Sequence, residues 1–576
     1  MERHPPELRY LFLTEMWERF SFYLMLGLLT LYMTTSKDSG GLGFDEAKAA
    51  TVFGTYMALV YLTPFIGGIL ADRVLGYRKS VLIGAVVMCL GHISLAFESV
   101  NMFYLGLFLL IVGNGFFKPN ISAMLGRLYP PGSKLKDSGF GFFYLGVNLG
   151  AFICNFVAAI VRNKYGWHAA FGTAGIGLFI GLLTFGTIYK SLARAETTKE
   201  VGVSNQSNES LRSLLIVSLV ALFATAPLGY WIMGVTGAFF GACIPVIAFY
   251  IWLWWTAAPN EKGALGALLA ICALLIPFWM VFNLNGTTLT FWAESNTERE
   301  VPEWSTATLA KVDLLQKAPV KYFINASADT PRPDPSSLKI VSGNKDEITS
   351  YKQAYAKKVE MEGHEKAGPL PVTQDEFDKV YQNSGDKTLK PGEPLHVANP
   401  ELFQSVNPFF IILLTPVLVW AWRILRNRKK EPTTPGKMAI GMLFAAVCWL
   451  VMLFAVYKTN DGSQKASSLW LIHAYFWITM GELCLSPIGL SLVSKLAPPR
   501  LVAVMMGGFF LCIAIGNKLS GIAGGPVWES VSHSSFFIGL TIIMVVFAAI
   551  IRLLLPWLKR HLPNEERDSH APSDEA

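Results

Sequence analysis

The chain is 576 residues long, 52% of them hydrophobic and only 15% charged, with a mean hydropathy of +0.41. A soluble domain carries roughly 25% charged residues, so a water-soluble globule is excluded, as are disordered chains, which lack this apolar content, and collagen-like ones, which need glycine at every third position. The formal charge of +7 is uneven: residues 294–406 hold 14 Lys/Arg against 18 Asp/Glu, and the +11 left for the rest lies mostly in short connections between apolar stretches, which points to a lipid bilayer as partner and away from nucleic acid.

A bilayer core takes about 20 apolar residues per helix. Fourteen stretches of that order are separated by polar connections, at 10–33, 50–71, 80–97, 102–124, 139–161, 169–189, 213–232, 237–257, 264–292, 406–426, 437–457, 467–494, 501–525 and 535–558. The 213–257 pair also reads as one long element. An even number of spans puts both termini on one side, and the Lys/Arg bias makes that side the cytoplasm. Arg73, Arg78, Lys79, Arg127, Lys134, Lys136 and the run from Arg423 to Lys437 fall on inside connections, whereas the short outside ones offer only Lys37, Lys48, Arg162, Lys164, Lys458 and Lys465. The expectation is a multi-pass protein of the cell membrane. The first stretch carries Glu15, Glu18 and Arg19, which the apolar region of a cleavable signal does not tolerate. The seven cysteines all lie in apolar stretches, so no disulfides staple a polar part.

Ionisable side chains near mid-membrane cost at least about 2.5–3.5 kcal/mol each and mark ion or substrate paths. In the first span, helical spacing sets Glu15 within a turn of both Glu18 and Arg19, so two acids share one guanidinium. A proton switch and a structural ion pair both fit this trio. In the connection after the second span, Asp72 and Arg73 follow Gly67 and Gly68 and precede Gly76, Arg78 and Lys79, as in a gate element where helix ends close on one another, or simply in a tight turn. The fourth span places Lys118 directly before Pro119; this lysine needs an anion unless it snorkels to the interface. The long polar stretch 293–405 reads as a small, partly ordered extracytoplasmic insert, with proline-rich patches and helical spacing near 348–361. It has no Gly-x-Ser-x-Gly, no His-Glu-x-x-His and no metal-ligand cluster, so docking or shielding is the simpler role for it, and a protein partner for it stays open. In the stretch 467–494, Glu482 precedes Ser486-Pro487. Lys118 and Glu482 thus sit in opposite halves of the chain, where they can face each other across a central cavity.

These motifs are specific enough to carry a resemblance. Asp72-Arg73 with its glycines resembles the signature loop of the major facilitator superfamily. Glu15-x-x-Glu18-Arg19-Phe20, the block Gly115-Phe-Phe-Lys118-Pro-Asn120, and Gly481-Glu482 through Ser486-Pro487 together resemble the proton-dependent oligopeptide transporter family. The resemblance implies an all-α membrane protein of two six-helix bundles, 1–190 and 264–558. An extra two-helix hairpin then lies within 191–263, the insert 293–405 interrupts the second bundle, and 559–576 forms a cytoplasmic tail.

For function, the resemblance implies no enzyme but a symporter that imports di- and tripeptides by alternating access, with protons as coupling ion and neither cofactor nor metal. It implies proton coupling at Glu15, Glu18 and Arg19, a peptide carboxylate at Lys118 and a peptide amine at Glu482. Tyr61, Asn148, Trp279, Asn283, Asn407 and Ser486 fall at cavity positions, with Asp72 and Arg73 as gating residues. Three departures stand out: Leu26 where the family has an arginine, Asn283 where it has an acid, and Phe509 where it has a tryptophan. The first two look paired, since an arginine left opposite Asn283 would be an uncompensated buried charge. Two alternatives remain: the same fold moving another small solute such as nitrate, and a receptor or scaffold that uses the insert.

Overall fold

A computed structural model of the chain describes residues 4–130, 133, 135–196, 205–317, 338–340, 349–350, 353–355, 357, 370–372, 396–462, 464–498 and 501–561. Side chains at 38, 69, 72, 73, 137, 205–220, 222, 223, 338–340, 370, 372, 486–491, 494, 495, 502 and 503 lie outside the description.

Helices dominate, as a bilayer requires of any chain that cannot close a barrel, because every backbone N–H and C=O must be satisfied within its own segment. The first half runs α1 (Leu8–Thr34), α2 (Glu46–Leu70), α3 (Tyr77–Leu95), α4 (Val100–Arg127), α5 (Lys136–Tyr165) and α6 (Trp167–Ile188). α1 packs on α5 and α6, and α4 packs on α2 and α3. The second half runs α8 (Pro259–Phe282), the short α9 (Thr288–Ser295) and α10 (Glu303–Lys311), then α11 (Val406–Asn427), α12 (Thr434–Lys458), α13 (Ser468–Leu496), α14 (Val502–Ile522) and α15 (His533–Arg560). α12 packs on α13 and α15, α8 on α14, and α14 crosses over to α2 in the first half. Among the described residues, eleven helical segments are long and apolar enough to cross a membrane.

Between the halves lies α7 (Asn205–Trp255), 51 residues interrupted at Met233 and Gly234, where Gly234 takes φ +59° and ψ −146°. That backbone suits a residue without a Cβ. Gly229 lies against Gly237, and Thr225 against Gly241, so the two arms double back as a hairpin. The span expected at 264–292 is shared by α8, a tight turn at Asn283–Gly286 and α9.

The flanks of the insert fold onto the helix ends. β1 (Thr297–Glu298) pairs in parallel with Ala466–Ser467, and Leu315–Lys317 pairs antiparallel with His396–Ala398. Arg299 is buried here and donates to the carbonyl oxygens of Ala398 (2.7 Å) and Glu294 (3.3 Å). Much of the expected helix near 348–361 lies outside the described residues.

The polar contacts that join the two halves gather at the insert end of the bundle, where α1 finishes and α2 begins. Thr30 donates to the Gly286 carbonyl (2.8 Å), Asn155 to the Ser405 hydroxyl (3.1 Å) and Asn517 to the Met57 carbonyl (3.3 Å). A buried charge pair, Arg162 with Glu401 at 3.2 Å, joins α5 to the segment before α11. α2 and α14 meet on bare backbone there: a Cβ added to Gly54 would fall 2.6 Å from the Gly521 Cα. At the opposite, termini end, Phe65 of α2 lies against Gly507 of α14. These described contacts at the insert end close the two halves on one another toward the insert.

Candidate functional site

The charged trio of α1 sits inside the first bundle, with Glu15, Glu18 and Arg19 exposed by only 4%, 0% and 3%. Its two acids are not equivalent. Glu18 takes the guanidinium as a fork, with Arg19 Nε donating to Oε2 (2.5 Å) and Nη2 to Oε1 (2.6 Å). Glu15 Oε1 lies 3.5 Å from Arg19 Nε, and Glu15 Oε2 is buried without a hydrogen-bond partner. A bidentate pair is the stronger and more directional contact, so Arg19 is committed to Glu18, while Glu15 keeps a free acceptor beside a cation it only partly shares. The guanidinium also stacks over Phe22, 4.6 Å from the ring centroid.

Two prolines shape the neighbouring helices. Pro64 in α2 has no N–H for the Val60 carbonyl four residues earlier, and Asn114 of α4 fills that vacancy, its Nδ2 donating to the Val60 oxygen (2.9 Å). The Oδ1 of the same side chain accepts from Arg19 Nη2 (3.4 Å), which ties α1, α2 and α4 at one point. Pro119 likewise leaves the Gly115 carbonyl without its helical donor, and that carbonyl lies against Gly67 of α2.

Lys118, directly before that proline, is half buried and carries its Nζ 4.4 Å from the centroid of the Tyr61 ring, a cation–π contact. Among the described residues no carboxylate reaches it within ion-pair distance, although the Glu15–Glu18–Arg19 trio acts on it electrostatically. From the second half, Glu482 of α13 is also half buried; its Oε2 accepts from Asn407 Nδ2 (2.9 Å), which donates as well to Thr479 Oγ1 (2.9 Å). Glu482 lies within electrostatic reach of Tyr23, Tyr61 and Tyr144, all in the first half. Tyr61 therefore contacts the cation of its own half and lies within electrostatic reach of the anion of the other.

The remaining expected positions differ in what they offer. Asn148 and Asn283 are buried and turn their amide N–H groups back on their own helices, to the Tyr144 carbonyl (2.9 Å) and the Trp279 carbonyl (2.8 Å). Trp279 is 7% exposed, packs on Gly516 of α14 and has no partner for its Nε1. Asp72 and Arg73 lie in a wide turn, Ala71–Leu75, whose backbone is described but whose side chains at these two positions are outside the described residues. The Ser486 side chain is outside them too.

Around that turn, the acceptor is a residue that the sequence did not single out. Glu196 takes the Tyr77 backbone N–H (2.5 Å) and Arg78 Nε (2.5 Å), and its carbonyl accepts from Arg127 (3.2 Å). Tyr23, Tyr144, Thr479 and Asn114 were missed as well. The asparagine had a signal, a polar residue in an apolar helix at the level of a proline in a neighbour. Among the described residues no cluster of three His, Cys, Asp or Glu could hold a metal ion, and all seven thiols are free.

Two helical halves joined at one end, with a half-buried cation in the first and a half-buried anion in the second, define a membrane transporter of the major facilitator fold. The model of the POT family (PTR2) matches residues 78–308 and 393–545, more than half of the chain. The chain belongs to the POT family. A peptide transporter of Yersinia enterocolitica is 28% identical over 98% of this chain and 96% of its own length. A di-/tripeptide transporter of Lactococcus lactis is 26% identical over 96% of this chain and 95% of its own. Among solved structures, a peptide transporter POT in complex with sulfate is 28% identical, with a TM-score of 0.71 over 97% of this chain and 96% of that one.

Proposed function

We propose that this transporter carries di- and tripeptides into the cell together with protons, by alternating access, with both termini in the cytoplasm. One observation carries the reading: Lys118 lies over the Tyr61 ring in one half, and Glu482, held by Asn407 in the other, lies within electrostatic reach of the same tyrosine. A peptide zwitterion needs a cation for its carboxylate and an anion for its amine, and occupying both draws the halves together. The names of the relatives from Yersinia and Lactococcus support the cargo. The Lys/Arg bias supports the orientation, which makes the sealed insert end the outer face.

In this reading Glu15 exchanges the proton, because its Oε2 is the acceptor left open beside Arg19, while Glu18 holds the guanidinium. Asn407 and Thr479 aim Glu482, Tyr61 aims Lys118, and the hinge about Ala71–Leu75 with Asp72 and Arg73 serves the inner gate. Leu26 adds no second cation, so the carboxylate end is held more weakly, by about 1–3 kcal/mol for one charge-assisted contact.

The test is uptake into reconstituted vesicles with an inward proton gradient. Dialanine should accumulate, and Glu482→Gln should abolish accumulation while the protein still folds. Nitrate uptake that peptides do not compete with would overturn the peptide reading. Absence of any gradient-driven flux would overturn transport as such.

A further inference from the structure

Lys518 of α14 is among the largest fully buried side chains of the protein, with 1% exposure, and the transport reading assigns it no role. Its Nζ donates to Thr55 Oγ1 of α2 (2.7 Å), across the crossing that seals the insert end. The Thr55 hydroxyl spends its own proton on the Thr51 carbonyl (2.7 Å), so it serves the lysine only as acceptor. One acceptor suits a neutral amine. An ammonium would bring two further N–H donors that no described hydrogen bond engages.

Among the described residues the surroundings hold no counter-charge. On α2, Glu46 lies nine residues from Thr55, about 14 Å along the helix, and is engaged by Trp528 Nε1 (3.3 Å). Lys48 covers the Phe44 ring, and Tyr56 feels the Arg19–Glu18 pair inside the first bundle. From the one-turn helix Trp528–Ser530, Glu529 accepts from the Ala47 backbone N–H (2.8 Å). α8 has its charges, Glu261 and Lys262, at the far end, and the turn 283–286 offers only the uncharged Asn283 and Asn285. On α13, Glu482 is held by Asn407, and on α7 the Tyr250 hydroxyl is spent on the Val504 carbonyl (2.6 Å). Nearby, Asn517 Oδ1, Ser520 Oγ and Thr287 Oγ1 are buried without hydrogen-bond partners, so the sealed crossing already contains polar atoms that water would satisfy.

We infer that Lys518 is a second proton-binding site, neutral while α2 and α14 are closed and protonated when they part, so that protons on the insert side hold that side open. The proton comes from water on the insert side to the Nζ lone pair and returns there on closing. Because the open state binds one more proton than the closed state, lowering the pH must raise the open population. The inference rests on alternating access and not on the identity of the cargo.

The experiment uses the full chain in lipid nanodiscs with a pair of spin labels at the exposed Ser39 and Ser532, attached through non-cysteine handles because seven native thiols remain. The readout is the distance distribution between about pH 9 and about pH 5.5. In the wild type the long-distance population should grow several-fold as the pH falls. Lys518→Met should lose at least half of that response and stay mostly at the short distance. Lys518→Arg, which keeps its charge at every accessible pH, should hold the long distance even at the alkaline end. A wild-type pH response in Lys518→Met, or a wild-type titration in Lys518→Arg, overturns the inference. Both readouts are independent of cargo, so a failure of dialanine uptake leaves them decisive, and a failure here leaves the peptide reading standing.

Discussion

Glu401 offers the sharpest test of the seal between the halves. Its side chain is fully buried, its Oε2 lies 3.2 Å from Arg162 Nη1, and its Oε1 accepts from Asn399 Nδ2 (3.0 Å). Glu401→Gln keeps the shape and an oxygen for Asn399 but leaves a guanidinium without its counter-charge. Breaking a buried pair in this way costs about 3–5 kcal/mol when nothing else compensates. Here Arg162 retains Gln316 Oε1 (2.5 Å) and the Trp167 ring (4.6 Å), and the ionic contact itself lacks hydrogen-bond alignment. A cost of about 2–3 kcal/mol is therefore the reasonable figure. Once the halves part, Arg162 meets water and the penalty vanishes, so the whole cost acts on the balance between closed and open states, a shift of roughly 30- to 150-fold. The label pair at Ser39 and Ser532 would show it as growth of the long distance at constant pH. The double variant with Arg162→Gln should return most of the way to the wild type, since it removes the stranded charge. A shift below about twofold, or a double variant no closer to wild type than Glu401→Gln, would refute the reasoning.

Other parts of the molecule make separate predictions. Glu15→Gln should reduce gradient-driven accumulation to simple equilibration while peptide exchange across the membrane continues; pH dependence that survives both this change and Glu18→Gln removes the trio from proton coupling. Asn114→Ala should lower thermal stability by about 1–3 kcal/mol, because the Val60 carbonyl loses the donor that stands in for the missing N–H, and adding Pro64→Ala should restore much of it by returning the backbone N–H. In the connection between α11 and α12, the Arg426 fork (2.6 and 3.0 Å), with Lys437 (2.6 Å) beside it, holds the Glu431 carboxyl down to about 2. A lowered carboxyl contributes stability that is complete above the unfolded value near 4.3 and is lost as the pH falls through the folded one. The thermal advantage of the wild type over Glu431→Gln should thus be constant above about pH 5 and gone near pH 2.

What could be read from the sequence follows the range of the forces involved. The α1 trio was legible because its members are neighbours on one helix turn, and Lys118 and Glu482 because an isolated charge in an apolar run is costly wherever the chain folds. The inequality of Glu15 and Glu18 was not, since Arg19 chooses between them through side-chain geometry that spacing leaves open. Glu401 sat unnoticed at the edge of a polar insert; only the docking of that edge on α5 makes it a buried charge. Glu196 was hidden for the same reason, as its partners Tyr77, Arg78 and Arg127 are more than 60 residues away. Lys518 stood in plain sight in an apolar run, but no nearby motif distinguished it from a lysine that reaches the interface.

The meeting of Gly54 and Gly521 has a mechanical consequence. At that point the helices touch through peptide planes with no side chain dovetailed between them, so parting there breaks a few polar contacts, such as Lys518 to Thr55 and Asn517 to Met57, without unlocking interdigitated rotamers one by one. Such a joint can be made and broken many times along the same track, with a low barrier and little hysteresis. Its weakness is intolerance of bulk: a single methyl group on either face would wedge the joint ajar, so the smoothness that permits rapid cycling also makes these two positions hard for evolution to vary.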